Sequence, residues 1–225
     1  GFGSLRIING GVVEATAGNV VSNTQEPSFS EVAGIGSTLR LGAVVPTQRT
    51  GYFRVSTAFS VSTHRVASVT PPMFTVRDGG VIERRSPDEQ LTVVVIAATF
   101  RGNGTVRADY MRVGALARVE PGVESIDTLN LEAVLDMRSA GDSGDLNLGA
   151  IVIDAAGPNN HDRIIATGAM LGGAVELVPV DGYRPELGDV IEVVTLTDQA
   201  NALDPNLDEN LDEFNAVLHP DFGPQ

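Results

Sequence analysis

The sequence lacks several residue types, and each absence excludes a class of protein. No cysteine is present among the 225 residues, which excludes a disulfide scaffold, a thiol nucleophile and a zinc–cysteine site. Tryptophan is absent and aromatic residues make up only 5%, so the core must consist mainly of Val, Ile, Leu and Ala. An apolar run of the roughly 18 residues that a membrane helix needs is also missing, so no membrane insertion is expected.

Lysine is absent as well. All 15 basic residues are arginine, and they face 29 acidic residues, which leaves a formal net charge of −14. Such a charge repels nucleic acids and anionic membranes. Because no basic stripe with aromatic neighbours interrupts the acidic background, nucleic-acid binding is not expected.

What the sequence does contain, between Ala117 and Leu196, is a series of short β-type runs separated by turns. The runs are rich in β-branched residues and too short for helices, namely Ile151–Asp154, Arg163–Ala166, Ala174–Pro179 and Val190–Leu196. Gly, Asn, Asp and Pro stand between them, with a turn about every ten residues. This spacing predicts an all-β sandwich, barrel or solenoid.

Internal similarity favours the solenoid. The stretch Gly3–Glu14 (GSLRIINGGVVE) returns as Phe74–Glu83 (FTVRDGGVIE), and more loosely at Met111–Val119 and Thr167–Leu177. Such similarity, with insertions, is typical of stacked repeat architectures. Asn or Asp followed by two glycines tolerates positive φ, so the chain is expected to turn sharply there. A β-sandwich is the alternative fold.

The chain divides into two parts by composition. We assign residues 1–198 to the β-solenoid, with 43–104 less regular and a candidate insertion, and residues 199–225 to an acidic C-terminal cap or tail. Leu91–Phe100 is the most hydrophobic run and is predicted to be one strand buried on both faces. The leucine spacing over Pro205–Leu218 predicts a short amphipathic helix or a covering loop.

Two stretches resemble a bacterial surface-protein pattern. Gly3–Glu14, with Ala33–Gly42 (AGIGSTLRLG), resembles repeats associated with type V secretion and PEP-CTERM proteins. The second stretch, Ala117–Leu196, resembles the final part of autotransporter-like passenger regions. The matching motifs are Pro121-Gly122, Asp162–Gly168, Leu171–Leu177 and Gly182–Asp189. The resemblance implies a right-handed parallel β-helix that is exported, loses its export signal and is displayed extracellularly at the cell surface. It implies no catalytic residues.

Candidate catalytic residues are sparse. The three histidines, His64, His161 and His219, are scattered, and no G-x-S-x-G elbow is present. The carboxylates best suited to polysaccharide cleavage are Asp142, Asp145, Asp154 and Asp162. Each lies in or beside a Gly or Asn turn, where Asp hydrogen-bonds backbone. The turn role is favoured, so the protein is predicted not to be an enzyme.

One stretch has the spacing of a calcium loop. Asp204, Asn206 and Asp208 supply oxygen ligands at its first three positions. Glu209 stands where the sharp turn needs Gly, and Asn215 stands where the loop ends in Glu. No cofactor is expected apart from this candidate calcium ion, and a solvated acidic segment is the alternative.

The architecture itself suggests a role. A parallel β-helix has two ends with unpaired backbone groups, which favour end-to-end stacking into a filament when they are not capped. We therefore expect a structural extracellular protein, such as a surface stalk, sheath or fibre subunit, that self-associates as a homopolymer. The alternative is a module that binds, or less readily cleaves, surface polysaccharide. Its aromatic platform would be drawn from Tyr52, Phe53, Phe59, Tyr110 and Tyr183.

Overall fold

Almost all regular structure in the chain is β-strand. A computed structural model describes residues 5–16, 18–22, 29–42, 50–57, 73–138, 149–197 and 216–218. In chain order the strands are β1 (Arg6–Ile8), β2 (Val12–Thr16), β3 (Gly18–Ser22), β4 (Phe29–Ala33), β5 (Thr38–Gly42), β6 (Thr50–Thr57), β7 (Met73–Arg77), β8 (Val81–Arg84), β9 (Gln90–Ile96), β10 (Thr99–Gly102), β11 (Thr105–Val113), β12 (Arg118–Pro121), β13 (Thr128–Asp136), β14 (Ala150–Gly157), β15 (Asn160–His161), β16 (Arg163–Met170), β17 (Ala174–Pro179), β18 (Val194–Leu196) and β19 (Ala216–Leu218).

The strands form two mostly parallel sheets. The first sheet has the order β1-β4-β7-β10-β12-β14-β17-β19, with β15 antiparallel to β14. The second has the order β18-β16-β13-β11-β8-β5-β2, and β3, β6 and β9 continue it beside β11. The chain crosses from one sheet to the other and back, so each pass stacks on the previous one. The predicted all-β fold is confirmed, and the arrangement is consistent with a β-solenoid.

At one level of the second sheet, two shorter strands occupy the place that a single long strand occupies at the next level. The first half of β11 pairs with β8 at Thr105 and Val81, and its second half pairs with β9 at Tyr110 and Thr92. Against β13, the register of β11 shifts between Arg107 and Tyr110. Strands β8 and β9 therefore lie at the same level of the stack and are joined by a loop, whereas β11 spans both of them as one strand.

Aligned apolar residues form the core between the sheets. Strand pairing in the second sheet brings successive buried residues side by side, namely Leu39, Ile82, Val106, Leu131 and Ala166. In the first sheet the corresponding row is Phe74, Phe100, Val119, Ile151 and Val175. Each large aliphatic side chain buried in this way contributes ~1.5–3 kcal/mol. These rows account for a core built almost without aromatic residues.

Asn-Gly and Asp-Gly turns carry the chain from the first sheet to the second. Asn9 and Gly10 have φ of 56° and 78°, and Asp78 and Gly79 have 54° and 81°. A Cβ atom at Gly80 would lie 2.3 Å from the carbonyl oxygen of Val32, so only glycine fits. The sharp turns predicted at both stretches are confirmed. The looser matches, at 111–119 and 167–177, run from the second sheet to the first and so occupy the opposite corner.

Two predicted elements differ from the structure. The run Leu91–Phe100 was expected to be one strand, but it contributes to β9 in the second sheet and β10 in the first. The break is at Ala97, where φ is 47° and the backbone turns a corner. The expected helix over Pro205–Leu218 is wrong at its end, because Ala216–Leu218 is a strand paired with β17. The rest of that stretch lies outside the described residues.

Candidate functional site

A row of alternating charges crosses the outer face of the second sheet. Four of its members each follow a residue of the core row, and Glu14 follows Val13, the strand partner of Leu39, so strand alternation turns them away from the core. Pairing aligns them on successive strands in the order Glu14, Arg40, Glu83, Arg107 and Glu132. We call this row the charge ladder. It connects residues that are distant in sequence, since Arg40 and Glu83 are 43 residues apart.

Ion pairs join every neighbouring pair in the charge ladder. Arg40 donates from Nη1 to Glu14 Oε1 at 3.3 Å and from Nε to Glu83 Oε1 at 2.8 Å. Arg107 donates from Nη1 to Glu83 Oε2 at 3.3 Å and from Nε to Glu132 Oε2 at 3.0 Å. Each arginine thus divides its donors between two carboxylates on neighbouring strands.

The central carboxylate, Glu83, is held in its charged form. Burial raises the pKa of Glu83, but hydrogen bonds from Arg40 and Arg107 outweigh burial and leave that pKa below its usual value. Hydrogen bonds to Glu83 and Glu14 raise the pKa of Arg40. Glu83 and the two arginines that flank it are therefore charged around neutral pH.

An open groove lies beside the charge ladder, where the loop after β8 rises from the sheet. Its volume is about 490 Å³. Its lining combines ladder residues with loop residues, namely Arg40, Glu83, Arg84, Arg85, Pro87, Arg107 and Glu132. Arg84 contacts Asp109 at 3.4 Å, and Arg85 forms an ion pair with Glu89. We call this feature the arginine groove.

The two described carboxylates among the predicted catalytic candidates, Asp154 and Asp162, lie elsewhere, at a corner between the sheets. Asp162 Oδ1 accepts a hydrogen bond from the backbone N–H of Asp127 at 2.7 Å, and Oδ2 accepts one from Asp154 N–H at 3.0 Å. The Asn103 amide donates to Asp127 Oδ2 at 2.6 Å and accepts from Asp78 N–H at 2.8 Å. These side chains tie the corners of successive levels together through contacts between residues distant in sequence, whereas the turn interpretation expected contacts to the local backbone.

Burial perturbs Asp162 strongly. Its side chain is nearly inaccessible, and burial raises the pKa of Asp162 to about 7 although the two backbone N–H groups act in the opposite direction. Burial also raises the pKa of Asp154. Since both oxygens of Asp162 accept backbone hydrogen bonds, this carboxyl group acts as a structural bracket in this geometry.

The other predicted site residues fall into two groups. Lying outside the described residues are Asp142, Asp145, His64, His219 and Phe59, together with the calcium candidates Asp204, Asn206 and Asp208. The side chains of Tyr52 and Phe53 are likewise not described. The calcium site therefore stays a prediction. Among the described residues, no group of three or more His, Asp or Glu side chains could hold a metal ion.

The candidates that are described do not converge. His161 is buried, with Nε2 3.1 Å from the carbonyl oxygen of Glu192. Tyr110 lies under the Arg112 guanidinium, 5.6 Å from the ring centroid. The Tyr183 hydroxyl donates to Asp189 at 2.6 Å, which raises the pKa of Tyr183 to about 12. No shared aromatic platform is formed by these two described tyrosines.

The sequence does contain a signal for the charge ladder, but it is a repeated position and not a pattern of catalytic residues. The Gly-Gly turn is followed by Val12-Val13-Glu14 and by Val81-Ile82-Glu83, each with an acid three residues after the second glycine. Between these levels, Thr38-Leu39-Arg40 has a base at the same place. Alignment of the stretches on their core residues would have revealed the alternation.

Comparison with known proteins identifies no relative. The chain matches no known protein-family model, and it is similar to none of the curated proteins and to none of the solved structures. Within the described residues no helix is long and apolar enough to cross a membrane. The chemistry available to this molecule must therefore be inferred from its own geometry.

Proposed function

We propose that the protein is a right-handed parallel β-helix with a structural, non-enzymatic role, a subunit of a surface stalk, sheath or fibre. The observation that carries the proposal is the parallel pairing of the strands in both sheets, from which β15 alone departs among the described strands. Crossover connections between parallel strands of one sheet are right-handed in about 98% of cases, which supports the handedness. The resemblance to autotransporter-like surface proteins supports a location outside the cell.

Self-association would follow from the edges of the sheets. Within the described residues, β1 pairs only with β4 and β2 pairs only with β5, so each has one edge without a strand partner. Such an edge is a template for another strand. A second copy of this chain presents β18 and β19 as outermost described strands at the opposite end. Head-to-tail contact of these edges does not close and so gives a filament.

The absence of catalysis in this proposal is supported by the corner carboxylates. Both oxygens of Asp162 accept backbone N–H groups, and Asp127 holds Asn103 and the N–H of Thr128. General acid or base catalysis requires a carboxyl group within reach of a substrate. Carboxyl groups whose oxygens already accept hydrogen bonds from the backbone stabilise the fold.

A variant at the β2 edge tests the assembly. Thr38 N–H donates to the Gly11 carbonyl at 2.9 Å, so by alternation the N–H of Val12 points to the open edge. Val12→Pro removes that donor, and Val12→Thr is the matched control because it keeps the N–H and the β-branch. We expect rods in electron microscopy that lengthen with protein concentration, and shorter rods for Val12→Pro alone.

The net charge makes a second readout available. Copies with a formal charge of −14 repel each other, and added salt screens this repulsion. Association measured by light scattering should therefore increase with ionic strength. Monomers at high protein concentration in high salt would overturn the proposal, as would rods of Val12→Pro as long as those of the unaltered chain.

A further inference from the structure

The sequence contains two Asn-Gly dipeptides, and the fold places them at the same kind of corner in different surroundings. Asn9-Gly10 lies between β1 and β2, and Asn103-Gly104 lies between β10 and β11. In such a dipeptide the glycine amide nitrogen can attack the side-chain carbonyl carbon of the asparagine, because glycine has no side chain to hinder the approach. The two dipeptides share this chemistry, so a difference in their reactivity comes from the fold.

Asn103 is held by hydrogen bonds on both atoms of its amide. Its Oδ1 accepts from the N–H of Asp78 at 2.8 Å, and its Nδ2 donates to Asp127 Oδ2 at 2.6 Å. The nucleophile is held as well, since Gly104 is buried and its N–H donates to the carbonyl oxygen of Val76 at 2.9 Å. Attack at Asn103 therefore requires three hydrogen bonds to break inside the stack.

Asn9 is much less restrained. Both Asn9 and Gly10 are exposed, and a Cβ atom added at Gly10 would have no neighbour closer than 3.7 Å. The N–H of Gly10 donates to the hydroxyl of Ser37 at 3.0 Å. Within the described part of the chain the Asn9 amide makes no hydrogen bond, so its carbonyl carbon is open to attack once Gly10 leaves Ser37.

The position of Asn9 in the stack also lowers the cost of the opening that attack requires. Among the described strands, β1 pairs only with β4 and β2 only with β5, whereas β10 and β11 each have neighbours on both sides. Terminal elements open at little cost in free energy, whereas interior elements approach the free energy of global unfolding. The geometry of attack is therefore reached more often at Asn9 than at Asn103.

We propose that Asn9 is a site of spontaneous deamidation, from which the fold protects Asn103. The amide nitrogen of Gly10 forms a bond to Cγ of Asn9, and the bond from Cγ to Nδ2 breaks. The departing nitrogen takes the proton of the Gly10 amide and leaves as ammonia. Water then opens the resulting succinimide ring at either carbonyl, which gives aspartate or isoaspartate at position 9.

The modification changes the outermost described corner in two ways. Both products replace a neutral amide by a carboxylate, and isoaspartate also lengthens the main chain of the turn between β1 and β2 by a methylene group. The site is independent of the assembly proposed above, since the reaction needs a single copy of the chain and water.

Peptide mass spectrometry of the 225-residue protein measures both dipeptides in one sample. Cleavage after arginine places Asn9 in the peptide 7–40 and Asn103 in the peptide 102–107. Incubation in mildly alkaline heavy-oxygen water labels each residue that deamidates before cleavage. In the folded protein Asn9 should react at least about tenfold faster than Asn103, which corresponds to ~1.4 kcal/mol in opening free energy. In urea-unfolded protein the two rates should agree within about twofold, because the protection is lost.

A variant locates the reaction within the first peptide. The peptide 7–40 also contains Asn19 and Asn23, but each is followed by a β-branched residue that crowds the attacking nitrogen. Asn9→Gln should therefore abolish the label in this peptide and leave the slow labelling of Asn103 unchanged, and urea unfolding establishes that the variant is folded. The proposal is wrong if Asn9 and Asn103 react equally in the folded protein, if their ratio persists in urea, or if Asn9→Gln keeps the label.

Discussion

Replacement of Asp162 by Asn should remove a pH dependence of folding stability. Asp162 is 2% exposed, and burial raises its pKa from 3.8 to about 7. The folded protein therefore keeps a proton that the unfolded chain releases between those values. The stabilisation from this group is fully present below pH 3.8 and is lost as the pH rises through about 7.

The magnitude follows from the pKa displacement and from the surroundings of Asp162. One pH unit corresponds to ~1.4 kcal/mol, so the full displacement sets a ceiling of ~4 kcal/mol. Roughly two pH units of that displacement lie between pH 5 and pH 8, so we expect a loss of ~2–3 kcal/mol across this range. Asn supplies one acceptor oxygen, so either the Asp127 or the Asp154 N–H loses its partner. That loss costs ~1–3 kcal/mol at pH 5.

Urea unfolding at several pH values between about 5 and 8 measures both effects. The unaltered protein should lose free energy of unfolding across this range, and Asp162→Asn should be flatter and less stable at the acidic end. The range stays above the titration of Glu31 and Glu83, whose pKa values are lowered and whose contributions are lost at acidic pH. Asp181→Asn is the control, because Asp181 lies in an exposed turn with φ of 51° that Asn tolerates. Identical slopes for Asp162→Asn and the unaltered protein would refute the reasoning.

Two further substitutions test the corners and the core. Gly80→Ala brings a Cβ atom within 2.3 Å of the Val32 carbonyl oxygen and should lower the free energy of unfolding in urea by ~2–4 kcal/mol. Gly157→Ala is the control, because a Cβ atom there has no neighbour within 4 Å, and it should change that free energy by less than ~0.5 kcal/mol. Equal effects of the two substitutions would contradict the close stacking at the Gly80 corner. Phe100→Ala removes a fully buried ring whose centroid lies 5.9 Å from that of Phe74, and should cost ~3–5 kcal/mol and lower the thermal midpoint; a loss below about 1 kcal/mol would show that the ring is not in the core.

Local structure was predictable wherever one strand carries its own pattern. Ala174–Pro179 is a strand with the expected limits, because β-branched residues and flanking turns define it locally. Leu91–Phe100 was misjudged because its continuous apolar character hides the corner at Ala97, a residue with no turn preference. Because stacking against the other levels imposes this corner on an alanine, the composition of the run does not indicate where the chain turns.

The pairing of strands between levels was harder to predict from the sequence than the strands themselves. Parallel partner residues can be as far apart as Phe29 and Met73 or as close as Thr92 and Tyr110, so insertions hide any constant period. The arginine groove depends on this pairing, since Arg40 and Arg107 meet Glu83 only once their strands are aligned. Neither a histidine nor a run of clustered carboxylates marks the arginine groove in the sequence.

The charge ladder helps to explain how levels separated by such variable loops keep one register. Core residues alone specify which face of a strand is buried, and a slip of one residue would expose Ile82 and bury Glu83. A slip of two residues keeps the apolar face inward, so apolar burial penalises it less. It would, however, separate Arg40 from both Glu14 and Glu83, and aligned opposite charges on neighbouring strands favour the observed register. On this reasoning the charge ladder selects among the registers that keep the apolar face buried.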